Sequence, residues 1–87
     1  MMDEDAIMTI FNLVDAQLSA GLFVEVEFGL AAVDIEATST VVLLAWLSIT
    51  HAAKEHLPGR AAFAQAVKAK LERDEPERAE ELLRGLV

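Results

Sequence analysis

No cysteine occurs in this 87-residue chain, and no lysine or arginine occurs before Lys54. The first absence excludes disulfides and the common Cys-based zinc sites together. Glycine is sparse, and Gly21, Gly29, Gly59 and Gly85 stand isolated, so there is no glycine-rich phosphate loop. No serine lies in a Gly-x-Ser-x-Gly elbow. Long apolar runs are missing too. The uncharged segment 37–53 is broken by Thr38, Ser39, Thr40, Ser48, Thr50 and His51, leaving only 41–47 continuously apolar. A membrane-spanning helix needs about 20 predominantly apolar residues. The start, Met1-Met2-Asp3-Glu4-Asp5, is acidic where a secretory signal peptide is positive. These features predict a cytoplasmic chain that does not engage a membrane.

The second absence shapes the charge. Eight acids, Asp3, Glu4, Asp5, Asp15, Glu25, Glu27, Asp34 and Glu36, precede Lys54 with no base among them. The rest of the chain holds seven acids and seven bases, so the whole net charge of −8 lies in residues 1–53. Such a surface repels nucleic acid and attracts basic protein surfaces, including the C-terminal half of a second copy. An acidic surface also serves plain solubility.

What is abundant is apolar side chain, at 54% of residues against an ordinary level of about 45–50%. A chain of this length forms one domain, residues 1–87, with a thin core and proportionally more surface than a larger one. Alanine supplies much of the excess. With disulfides excluded, self-association, simplest as a homodimer, is the expected way to cover the remainder.

The periodicity predicts an all-α fold, a four- or five-helix bundle packed around a central apolar helix. Helix one is expected over residues 4–19, with Ile7, Ile10, Phe11, Val14 and Leu18 on one face and Asp3, Glu4 and Asp5 at its positive end. Ala20-Gly21 ends it. Residues 22–35 read two ways. Val24, Val26 and Phe28 alternate with Glu25 and Glu27 as in a strand, but the helical period extends further. As a helix the segment carries two stripes, Leu22, Val26, Leu30 and Val33 on one side and Val24, Phe28, Ala31 and Ile35 on the other. Helix three is expected over 35–57, capped by Asp34, buried on all sides and ended by Pro58-Gly59. Helix four is expected over 60–73, burying Phe63, Val67 and Leu71. Helix five is expected over 76–86, with a Glu80–Arg84 pair one turn apart.

Three functional readings follow. The first is a helical protein–protein interaction module that self-associates and binds or inhibits a protein partner with a basic surface. Its contact residues are Val24, Phe28 and Ile35, rimmed by Glu25, Glu27, Asp34 and Glu36. The second is an acidic mimic of nucleic acid, of the kind a mobile element uses against a host-defence protein, with Asp15, Glu25, Glu27, Asp34 and Glu36 as its charges. The third is a small metal-dependent enzyme built on His51 and Glu55, four apart on a helix; no standard ligand spacing supplies a third residue. In this reading of the helix His51 is a surface residue and His56 is half-buried. Arg60, Lys68, Lys70 and Arg73 scatter around helix four and form no nucleic-acid-binding stripe. No catalytic constellation and no cofactor are expected.

Overall fold

The computed structural model describes residues 2–87, and side chains from Glu4 onward. The part expected of the Asp3 side chain lies outside the described residues. The described residues form five α-helices: α1 (Met2–Ser19), α2 (Phe23–Ala32), α3 (Thr40–Thr50), α4 (Arg60–Asp74) and α5 (Ala79–Leu83). A 3-10 helix, His51–His56, continues α3 directly. There is no strand among the described residues, so the ambiguous segment is helical. The radius of gyration, 12.4 Å, is close to the roughly 12 Å typical of a folded chain this long.

The C-terminal end of α1 follows the sequence, while the helix starts at Met2, two residues before the expected residue 4. Gly21 takes a positive φ of 74°, the left-handed conformation that ends a helix without steric cost to glycine. Val14 is buried, while Ile10 and Leu18 pack partly buried against the core. In α2 the two-stripe pattern is present: Val26 and Leu30 are 0% and 3% exposed, whereas Val24 and Phe28 are 64% and 68% exposed. Leu22 departs from its stripe and is exposed, because it precedes the helix with non-helical φ and ψ.

Helix three is shorter than its apolar pattern predicts. Residues 34–39 form a turn instead of the first helical turn. Asp34 Oδ1 accepts from the Ala37 amide at 3.2 Å, and the Thr38 hydroxyl donates to the Asp34 carbonyl at 2.6 Å. The cap is Ser39, whose Oγ accepts from the Val42 amide at 3.4 Å. Short hydroxyl and carboxylate side chains compete with the helix for backbone groups, and here they win for six residues. The helix is also not buried all round. Leu43 and Leu47 are fully buried, but Val41 is exposed, and Leu44, Trp46 and Ile49 are half-buried.

The helices do not all gather on α3. It packs against α1 and α4, α2 lies against α1 and α4, and α5 joins through α4. Gly29 allows a close approach of α2 to α3, since a Cβ there would sit 3.0 Å from Trp46 Cη2. Phe63, Val67 and Leu71 bury one face of α4 as expected. Helix five is a short segment between turns, and Arg84 leaves the helical region at ψ 122°, so the Glu80–Arg84 pair does not form. Among the described residues no helix is long and apolar enough to cross a membrane.

Candidate interaction surface

The exposed stripe of α2 is built by its neighbour inside. Val26 and Leu30 are drawn into the core, and the helical repeat then turns Val24 and Phe28, four residues apart, outward on the opposite face. Ala31 is exposed on the same side. Ile35 does not join them. Beyond the end of α2 the chain turns, and Ile35 packs half-buried against the core.

The carboxylates around this face have different fates. Glu25 is exposed and makes no ion pair among the described residues. Glu27 is half-buried and turned toward α4, where both its oxygens accept from the Gly59 amide, at 2.9 and 3.1 Å. Gly59 is the residue before α4, so a side chain of α2 caps the positive end of another helix. A Cβ at this position would lie 2.7 Å from Glu27 Oε2, so a larger residue would push the carboxylate away from its present place. Asp34 holds its own turn. Glu36 pairs with Arg73 at 2.7 Å.

The cations of α4 explain the rest of the loop. Lys70 Nζ donates to the carbonyls of Ile35 and Thr38, at 3.0 and 2.7 Å, tying residues 35–38 to α4. Arg73 bonds Asp74 and Glu36, which raise its pKa in that order, and the Arg73 bond holds the Asp74 carboxyl below its usual range. Three of the five carboxylates expected to imitate phosphates are therefore held by intramolecular partners, leaving Asp15 and Glu25.

His51 and Glu55 do not converge. Their pairing depends on α-helical spacing, but the segment is 3-10, where residues four apart point about 120° away from each other. The tighter turn also exchanges the two histidines. His51 is half-buried, with Nδ1 sealed from solvent and unbonded, while His56 is exposed and stacks on Phe23 with ring centroids 4.5 Å apart. Among the described residues, no three His, Asp or Glu side chains lie together as a metal site requires. Sequence reasoning also missed Arg60, counted among the scattered cations but buried at 3% exposure. Its position one turn before Phe63 and Ala64, on the same side of the helix, was the available signal.

No protein-family model matches this chain, and no curated protein or solved structure is significantly similar to it.

Proposed function

We propose that this protein is a self-associating helical interaction module, and that the Val24–Phe28 face of α2 meets the same face of a second copy. The observation that carries the reading is the 64% and 68% exposure of these two side chains, directly behind the buried Val26 and Leu30. A two-fold contact covers an apolar strip with an identical strip and needs no second complementary surface. Phenylalanine in such a patch, with the exposed Glu25 carboxylate beside it, has the anatomy of a hot spot with a polar rim. A cytoplasmic setting belongs to the same reading, as cysteine-free chains make no use of an oxidising compartment.

The test is sedimentation equilibrium together with thermal melts. Phe28→Ala is expected to weaken association by about 1–3 kcal/mol, a hot-spot truncation, and to leave the melt of the dilute protein nearly unchanged. Val26→Ala is expected to cost the fold about 1–2 kcal/mol and spare the contact. A wild-type protein that stays monomeric at high micromolar concentration, with no loss of stability on dilution, would overturn the proposal.

A further inference from the structure

The end of the 3-10 helix, the first turns of α4 and the C-terminal Val87 flank a half-open pocket of about 260 Å³, lined by Lys54, Leu57, Arg60, Ala61, Gln65 and Val87 among others. Its unusual member is Arg60. The guanidinium is drawn inward and 3% exposed, yet its partners are all neutral. Nε donates to Thr50 Oγ1 at 2.8 Å, and Nη2 donates to the carbonyls of Leu47 and Leu86. No carboxylate of the described residues forms an ion pair with it. Glu27, the acid at this end of α4, is occupied by the Gly59 amide. Removing a cation from water without a counter-charge is costly, and burial accordingly lowers the Arg60 pKa.

Three donors remain at the pocket. Arg60 Nη1 has no acceptor among the described residues and is not sealed from solvent. Lys54 is exposed and unpaired among the described residues. The Ala61 amide, in the first turn of α4, has no backbone or side-chain acceptor among the described residues. The volume is below the roughly 300–1,000 Å³ of ordinary small-molecule sites, so there is room for one small group.

We propose that this pocket binds a small oxyanion, a phosphate or carboxylate group, which supplies the missing counter-charge to Arg60. Lys54 adds a second positive charge at the mouth, and the Ala61 amide adds a donor at the positive end of α4. The site lies apart from the Val24–Phe28 face and does not depend on the reading of that face.

Amide NMR spectra of the whole chain, titrated with inorganic phosphate and in parallel with acetate, test this. Ionic strength is held fixed with chloride, since salt by itself acts on association. Saturable shifts are expected at Ala61 and Gln65, complete by about 50 mM, from phosphate, acetate or both; the comparison identifies which oxyanion the pocket prefers. Lys54→Glu should weaken binding by about tenfold or more, whereas Lys68→Glu, the same charge change further along α4, should weaken it by about twofold or less. The Lys54 side chain makes no ion pair among the described residues, so Lys54→Ala removes no native side-chain pairing and should weaken oxyanion binding with little change in the melt without oxyanion. Shifts that never saturate, shifts centred elsewhere, or equal losses from the two charge-reversed variants would overturn the proposal.

Discussion

Glu27 shows how much a single side chain decides in a domain this small. Its carboxylate reaches from α2 to the Gly59 amide and so closes the start of α4. Replacing it with alanine removes a charge-assisted hydrogen bond and a favourable interaction with the helix dipole, together about 1–2 kcal/mol for a half-buried group. Glu27→Gln keeps an acceptor and should recover part of the loss. Chemical denaturation of the two variants checks this; equal stability of Glu27→Ala and wild type would show that the bond contributes nothing. The helical period puts Glu25 and Glu27 on opposite flanks of α2, but nothing in the sequence says which flank meets α4. What separates them is the position of the Gly59 amide, 32 residues beyond Glu27, which no local pattern encodes. Arg60 is a similar case. Its charge reads as surface, and its burial depends on the carbonyls that the ends of α3 and the C-terminal turn offer it.

Among the elements, α1 and α4 were legible because each has an apolar stripe with a clear stop beside it, Gly21 after α1 and Pro58-Gly59 before α4, whereas α2 read both as strand and as helix and its end ran into the next helix. The Val24 and Phe28 stripe was legible within the helical reading: the core can take only one side of a helix whose opposite side is also apolar. The boundaries of α3 were not legible. Ile35 continues the apolar period of the helix beyond it, so periodicity alone extends α3 backwards through a turn that hydroxyl side chains hold open. The two candidate caps give opposite expectations. Ser39→Ala should destabilise the fold by about 1 kcal/mol as the loss of a true N-cap. Asp34→Ala removes one bond in an exposed turn that Lys70 also holds, and should cost about half as much or less. Thermal melts that rank the two in the reverse order would return the start of the helix to Asp34. Gly29, which weakens the case for helix on propensity alone, is accounted for by the Trp46 ring lying against it.

At the scale of the whole molecule, the chain exposes 5397 Å², against about 5,050 Å² expected for a folded monomer of its mass. The fold is of nearly ordinary compactness, so its apolar excess lies outside, at Val24, Phe28, Val41, Met8 and Leu13. Two modes of self-association would cover such surface, and charge separates them. A face-to-face dimer through α2 brings two acidic halves together, with each Glu25 near the other copy's acids. A head-to-tail contact would set the acidic half of one copy against bases of the next that make no ion pair among the described residues, such as Lys68 or Arg84, and would propagate as an open chain. Raising ionic strength from about 0.01 M to about 1 M shortens the screening length from about 30 Å to about 3 Å. That change relieves like-charge repulsion in the first mode and removes attraction in the second. Because the proposed contact is apolar and its rim carries one sign of charge, we expect association to tighten with salt and to stop at two copies. Sedimentation equilibrium at low and high salt reads both features. Weakening on salt addition, with growth beyond the dimer at low salt, would mean that the asymmetry of charge, and not the Val24–Phe28 strip, holds the copies together.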